Sequence, residues 1–297
     1  MRTVNRPSGR LRPLRTVLLC ALLSCLGACS VVGTLYERLD LLLGFEAGSW
    51  LDLDDAQMRQ FRSAVRLRVE EHRREELPRY VAFLERAATR VEAPPDDATL
   101  LNDAEELRLL LRETIRRSLP LLADTLATLR PAQVEHLAVK FAKSNEEYAE
   151  EYLEQTPERF RKKRLVRSRE AIERWTGRLD DAQRAQVAAL VDAVPDGSAA
   201  WSAYSHAWQQ ELLAQLRAGA GSAQLLALME RWWTTDAAMD PAYVAQLEGN
   251  RRLIATSLAA LLPTLGERQR TRASREFRAL AADLRDLLRS DPAATAR

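Results

Sequence analysis

Cysteine, histidine and glycine are scarce in this sequence, and each shortage excludes a class of protein. The 297 residues include three cysteines, three histidines and 11 glycines, and Cys29 is the last of the cysteines. No two histidines are four residues apart, which excludes the helical zinc-protease motif. Serine nucleophile elbows, phosphate-binding glycine loops and dinucleotide fingerprints are also missing. We therefore nominate no catalytic, cofactor-binding or metal-ligating residue, and we expect a protein that is not an enzyme.

A strong charge of one sign and a long apolar run are also lacking. The 44 basic and 42 acidic residues nearly cancel, whereas a nucleic-acid-binding domain is strongly basic, so we expect no nucleic-acid partner. The longest nearly apolar run covers only residues 17–26, which is about half of the roughly 20 residues that a transmembrane helix needs. A permanent membrane span is therefore disfavoured.

The apolar run is typical of a cleaved export signal. Several arginines and no acidic residue precede it, as in the n-region of a secretory leader. It ends in Leu26-Gly27-Ala28-Cys29, which resembles the bacterial lipobox. The resemblance implies that residues 1–28 are a lipoprotein signal peptide, and that Cys29 takes a diacylglyceryl group and a further acyl chain such as palmitate. The alternative is an ordinary secretory signal that is cut elsewhere, with Cys29 as a bystander.

The residues after the cleavage site indicate where the protein is anchored. Several acyl chains on one cysteine attach a protein stably, whereas a single chain binds only marginally. Ser30 is not the aspartate that retains lipoproteins in the inner membrane, so resemblance to that sorting rule implies the periplasmic face of the outer membrane. Residues 29–33 would form a lipid anchor and a short tether. We therefore expect the folded domain to lie close to the bilayer.

Apolar residues recur with helical spacing along the rest of the chain. Hydrophobic residues make up 46% of the sequence, and no segment shows the alternating pattern of a strand. We predict an all-α multi-helix bundle with kinked helices over residues 34–289, as a single domain with a sub-boundary considered at 195–198. Residues 290–297 are expected to form a disordered tail. The residues expected to interrupt or kink helices are Gly44, Gly48, Pro78 and Pro120.

Four short stretches look alike, and each ends in glutamine: Leu53–Gln57, Leu129–Gln133, Leu179–Gln183 and Leu265–Gln269. The first pair and the second pair are compatible with two repeated helical halves. A local interpretation is simpler, because a glutamine at the third helical position bonds back to the N-cap amide in a capping box. A shared binding function is the alternative. The motif also resembles the Leu-Thr-x-x-Gln signature of small periplasmic helical chaperones.

Two groups of polar residues are candidates for binding. The densest basic run supplies four candidate contacts for anionic headgroups: Arg161, Lys162, Lys163 and Arg164. The alternative is a solvated helix face that the glutamates at 146–154 offset. His72 and Glu76 share a helical face and would bind a metal if a third ligand joined them. We favour a partly buried histidine that the nearby carboxylate satisfies.

Several segments resemble an uncharacterised family of Gram-negative lipoproteins that is known only as a domain of unknown function. They are Tyr36–Asp40, Trp50–Gln57, His72–Tyr80, Asn145 with Tyr148, and Glu173–Gln183. The resemblance implies an envelope location and a helical fold, and it implies no catalytic activity. In the first third of the chain we nominate a candidate binding surface of Tyr36, Trp50, His72, Arg74, Glu76 and Tyr80. The alternative is that these residues only lock the first helix onto the second.

These patterns predict a membrane-anchored periplasmic lipoprotein that binds or scaffolds an envelope partner, with the membrane itself contacted through acyl chains on Cys29. One alternative is a chaperone that holds unfolded periplasmic chains, which requires an exposed apolar concave face. A second is an envelope hydrolase, which requires a cleft with converging polar groups.

Overall fold

The computed structural model describes residues 31–93 and 95–289, and within these ranges the chain forms helices and no strand. In chain order they are α1 Val31–Glu37, α2 Leu39–Leu51, α3 Asp55–Glu75, α4 Leu77–Glu92, α5 Asp97–Leu126, α6 Pro131–Tyr148, α7 Pro157–Thr176, α8 Asp181–Ala193, α9 Ser198–Arg217, α10 Ser222–Trp233, α11 Pro241–Leu261 and α12 Glu267–Arg289. A π-helical turn, Ala149–Leu153, follows α6, and a 3₁₀ turn, Leu262–Thr264, follows α11. The predicted all-α fold is confirmed.

The predicted leader, Cys29 and the tail at 290–297 lie outside the described residues. Within the described ranges, none of the helices is both long enough and apolar enough to cross a bilayer.

Short polar side chains begin several of these helices. Asp54, Asp96, Thr156 and Asp180 each accept a hydrogen bond from the backbone amide three residues ahead, which satisfies one of the free donors of the first turn. Asp240 does the same for α11. These caps explain why the helix starts at 55, 157 and 181 are visible in the sequence.

The two prolines in the first half of the chain have different effects. Pro78 is the second residue of α4, and the chain breaks between α3 and α4 at Glu76, as predicted. Pro120 lies inside α5, and the helix continues through it from Asp97 to Leu126. Because α5 has 30 residues, it spans about 45 Å and reaches from one end of the bundle towards the other.

The predicted interruption at Gly44 and Gly48 is wrong, because α2 runs through both. The structure uses these glycines for close packing against α3. A Cβ atom at Gly44 would lie 2.6 Å from Nε of Arg62, and one at Gly48 would lie 3.0 Å from Cε of Met58. The chain instead breaks at Arg38, between α1 and α2.

The buried apolar side chains of the described residues form three clusters. The largest joins α2, the second half of α5, α6, α9 and α10, and includes Leu119, Phe141, Leu213 and Met229. A second, around Tyr36, Leu77 and Leu287, joins α1 to α4 and α12. The third, around Leu179, Val187 and Leu261, joins α8 and α11 to the turn before α8.

Contacts between distant parts of the chain connect these clusters. Helix α12 packs along α4, while α10 and α11 both pack against α5. Ser274 of α12 donates to Glu92 at the end of α4 (2.8 Å). The last two helices therefore cover apolar surface on helices from the first half.

Candidate binding site

A surface cleft of about 300 Å³ opens where the π turn, α7, the start of α9 and α11 meet. Five aromatic side chains line it: Tyr148, Tyr152, Phe160, Trp201 and Tyr243. Three cationic side chains, Lys163, Arg164 and Arg167, share the lining with the carboxylates of Glu151 and Asp196. Aromatic faces and guanidinium groups are the side chains that most often anchor recognition. We call this site the cationic cleft.

The π turn Ala149–Leu153 positions one wall of the cationic cleft. It ends α6 with a wider turn, in which the Glu154 amide donates to the Ala149 carbonyl (2.9 Å). The Tyr152 ring then stacks on Tyr148, with 4.6 Å between ring centroids and 26° between planes. Single π turns inside or at the end of α-helices are frequent at functional sites.

Burial raises the pKa of Tyr148 to about 12. The hydroxyl therefore stays protonated at physiological pH, and it donates to the Ser198 carbonyl (3.3 Å) at the start of α9. This bond connects the π turn to the opposite wall of the cleft.

Two of the three cations in the cleft form no salt bridge with a described residue, although Arg161, together with Arg164, lowers the pKa of the Asp192 carboxyl. Arg167 pairs with Glu151 and donates to the Tyr152 hydroxyl (3.2 Å). Arg164 donates to the Val194 carbonyl (2.8 Å) and lies over the Phe160 ring at 5.7 Å, and Lys163 forms no ion pair with any residue that the structure describes. Both therefore remain able to bind an anion.

Of the four basic residues nominated from the sequence, two line the cleft and two lie outside it. Lys163 and Arg164 line the cationic cleft. Arg161 points elsewhere and forms a two-bond pair with Asp192 (2.5 and 2.6 Å), and Lys162 is exposed outside the cleft lining. A run of charges along a helix thus contributes to one site only through the residues on one face. The aromatic lining was not nominated, because it comes from four segments that are distant in sequence.

The nominated surface in the first third becomes a buried polar network at the break between α3 and α4. The Tyr36 hydroxyl donates to the Val69 carbonyl (3.1 Å) and lies 2.9 Å from Nδ1 of His72. The His72 ring lies between the rings of Tyr36 and Tyr80, with 5.9 Å from its centroid to each. The structure thus brings Tyr36, His72 and Tyr80 together through α1, α3 and α4.

Glu76 is the centre of this network. The residue is only 2% exposed, and its carboxylate accepts a hydrogen bond from Arg68 Nη2 (2.5 Å) and from the Thr114 hydroxyl of α5 (2.5 Å). Tyr80 is linked to the same threonine (2.9 Å). Sequence reasoning missed Arg68 and Thr114, because a charged residue and a threonine within a helix give no signal of their burial.

Trp50 and Arg74 do not join the other nominated residues. Trp50 packs against Phe141 (5.9 Å between ring centroids) in the largest core cluster. Arg74 is exposed, and the buried arginine next to it, Arg73, lies over the Tyr36 ring at 5.5 Å. The nominated six residues therefore form a network of four, together with two side chains that lie elsewhere.

The alternative of a metal site at His72 and Glu76 requires a third ligand, and none lies beside them among the described residues. His72 Nε2 lies 4.0 Å from the Glu76 carboxylate. Across the described ranges, no group of three or more His, Cys, Asp or Glu side chains converges to hold a metal ion.

We expect acid to destabilise the fold through His72. Burial lowers the pKa of His72 from 6.5 to about 4, against the opposing influence of Glu76. As the pH falls below 6.5, the unfolded chain binds a proton that the folded chain rejects until about pH 4. Stability is therefore lost over this window, and the free energy of unfolding should fall by about 2 kcal/mol between pH 7.5 and pH 5.

The measurement is denaturant unfolding at both pH values. The variant His72→Gln should lack this part of the pH dependence, and the exposed His206→Gln should keep it. An unchanged pH dependence in His72→Gln would remove the role assigned to this imidazole.

The four similar stretches meet in pairs. Gln57 and Gln133 exchange side-chain amide hydrogen bonds (3.2 and 2.8 Å), and each Oε1 accepts from the N-cap amide of its own helix, at Asp54 (3.0 Å) and Arg130 (2.9 Å). We call this pair the first glutamine clasp. The capping interpretation is thus confirmed, and the structure adds the contact between the two capping side chains.

The second glutamine clasp repeats the first. Gln183 and Gln269 exchange amide hydrogen bonds (3.0 and 2.9 Å) and cap Asp180 (3.0 Å) and Gly266 (2.9 Å). In both clasps each glutamine also donates to the carbonyl two residues before its partner's N-cap: Thr128, Asp52, Thr264 and Arg178.

A tryptophan–phenylalanine pair accompanies each clasp. Trp50 packs against Phe141 beside the first clasp, and Trp175 stacks on Phe277 (4.4 Å) beside the second. Each phenylalanine lies eight residues beyond its glutamine. The same contacts therefore occur in two places, which fits the predicted pair of repeated helical halves.

Comparison with known proteins places the chain in one family. A family model of unknown function, DUF6279, matches residues 49–238, well over half of the 297 residues. The matched range contains the cationic cleft except for Tyr243, and all of the first glutamine clasp. No curated protein and no solved structure matches the chain. The chain belongs to DUF6279, a family of unknown function.

Proposed function

We propose that this chain is a lipoprotein of the cell envelope, anchored through Cys29 at the periplasmic face of the outer membrane, and that it binds an anionic group of an envelope partner in the cationic cleft. The observation that supports binding is the pair Lys163 and Arg164, which line a cleft with five aromatic side chains and form no salt bridge with a described residue. An incoming carboxylate or phosphate would therefore gain charge-assisted hydrogen bonds without displacing an existing ion pair.

The chemistry of the lining favours binding over hydrolysis. The cleft contains no histidine, and its two carboxylates already have partners in the chain. Glu151 pairs with Arg167, and Asp196 accepts from the amide and hydroxyl of Ser198 (2.9 and 2.6 Å). An acid–base pair in a hydrolase needs groups that are free to exchange protons with a substrate.

We expect a photo-crosslinking amino acid at Phe160, which lines the cleft and leaves both cations in place, to capture an envelope partner in intact cells. The same amino acid at Lys162 is the matched control, because this nearby residue is exposed outside the cleft. Adding Arg164→Glu to the Phe160 probe should lower the yield by about tenfold, because it places a repulsive charge beside the bound anion. Equal capture from positions 160 and 162, or no capture from either, would contradict the proposed binding role.

Labelling with a radioactive fatty acid tests the anchor. We expect the wild-type chain to carry label and to fractionate with the outer membrane, because the sulfur of Cys29 would take the acyl groups. The variant Cys29→Ser should carry no label and keep its leader, while Cys25→Ser, a substitution within the leader, should be labelled normally. An unlabelled wild-type chain, or label on Cys29→Ser, would contradict the proposed anchor.

A further inference from the structure

The outward face of α2 combines one cation with three exposed apolar side chains. Arg38 immediately precedes the helix, and Leu41, Leu42 and Phe45 follow at i+3, i+4 and i+7, so the four share one face. The two leucines are each 45% exposed, and Phe45 is 73% exposed. Adjacent apolar side chains with this much exposure are unusual in a protein that functions alone in water.

The opposite face of α2 is already occupied. Asp40 accepts a hydrogen bond from Arg66 of α3 (3.2 Å), and Gly44 lies against the side chain of Arg62. Helix α3 therefore packs on the side of α2 that faces away from Phe45. Arg38 forms no ion pair with any residue in the described ranges, so its charge is available to an external anion.

The position of α2 in the chain limits its distance from the anchor. Helix α1 begins at Val31, two residues after Cys29, and a single residue separates α1 from α2. With a rise of 1.5 Å per helical residue and at most about 3.6 Å per extended residue, Leu41 lies within about 26 Å of Cys29. A lipidated Cys29 would therefore hold α2 next to the bilayer surface.

We propose that the outward face of α2 lies on the lipid bilayer, with Leu41, Leu42 and Phe45 in the interfacial region and Arg38 at the anionic headgroups. This inference rests on the proposed lipidation of Cys29. Interfacial helices bind by burying an apolar face while cationic side chains reach the headgroup phosphates. The acyl chains would attach the protein, and α2 would fix its orientation on the membrane.

Environment-sensitive fluorescence tests the inference on the full lipidated protein in vesicles of phosphatidylethanolamine and phosphatidylglycerol. Since Cys29 is the last cysteine of the chain and its sulfur would be acylated, Phe45→Cys provides a single thiol for a nitrobenzoxadiazole label. The matched control is Ile254→Cys on α11, an exposed apolar position with a 42% exposed side chain. We expect a blue shift and a rise in emission for the label at 45 and emission typical of water for the label at 254.

A second label, at Arg38→Cys, tests whether the apolar side chains cause the contact. Its blue shift should be lost when Leu41, Leu42 and Phe45 are all replaced by serine, while the protein still floats with the vesicles. If the protein floats with the vesicles but the label at position 45 emits as it does in water, the inference is overturned and the proposed lipid anchor is still supported. Absence of flotation would overturn both proposals. A blue shift that persists without lipid and rises with protein concentration would indicate self-association, and it would also overturn the inference.

Discussion

Replacing Glu76 with alanine should lower the free energy of unfolding by about 3–5 kcal/mol, because it leaves the buried charge of Arg68 without its partner. Glu76 is 2% exposed and Arg68 is 9% exposed. Two other nitrogens of this arginine, Nε and Nη1, have no hydrogen-bond partner among the described residues. Glu76 is therefore the group that compensates the guanidinium charge, and it also accepts from Thr114.

The neighbouring Glu75→Ala is the matched control for this prediction. Glu75 pairs with Arg117 across an exposed surface, and exposed pairs of this kind contribute at most about 1 kcal/mol. Denaturant unfolding of the two variants at pH 7.5 should therefore separate them clearly. If Glu76→Ala loses no more stability than Glu75→Ala, the break between α3 and α4 does not depend on this network.

The second large effect is expected in the glutamine clasps, where Gln183→Ala should lower the free energy of unfolding by about 2–4 kcal/mol. Gln183 is 1% exposed, and its side chain satisfies the Asp180 amide, the Thr264 carbonyl and the amide of Gln269. Removing it leaves all three groups without this partner at a partly buried junction. A buried donor or acceptor that loses its partner costs more than the hydrogen bond itself contributes.

Gln224 provides a control with the same local role. It accepts from the Gly221 amide at the start of α10 (3.1 Å), but it is exposed and forms no clasp with another glutamine. Gln224→Ala should therefore lower the free energy of unfolding by less than about 1 kcal/mol. In a double-mutant cycle, Gln183→Ala and Gln269→Ala should be strongly non-additive, because each removes the partner of the other. Additive losses would mean that each glutamine acts only as a local cap.

The sequence predicts the helical class and most helix starts because caps and prolines act locally. Asp54, Asp180 and Pro78 determine structure within one or two turns, so their effect is visible from neighbouring residues alone. Gly44 shows where this reasoning fails. A glycine within a helix has the same local signal whether it ends the helix or admits a neighbour, and only the position of Arg62 in the fold decides between the two.

The candidate sites were predicted only in part, because local sequence patterns do not show which distant segments meet in the fold. Tyr36, His72, Glu76 and Tyr80 lie around one predicted break, and the structure brings them together. The cationic cleft instead gathers residues from Tyr148 to Tyr243, and the π turn that aligns its wall has no recognisable pattern in the sequence. Of this cleft, only Lys163 and Arg164 were nominated.

The packing of α12 on α4 has a consequence for how the protein is made. The whole of α5 to α11 lies between these two helices in the chain, so the apolar stripe of α4, with Leu77, Val81 and Ala88, lacks the cover that α12 provides until the C-terminus has emerged. Local contacts form early, whereas contacts between such distant segments form late. If the chain is exported from its N-terminus, it would cross the membrane with this stripe unprotected. A fragment limited to the family match at 49–238 would keep it exposed permanently and should aggregate on expression.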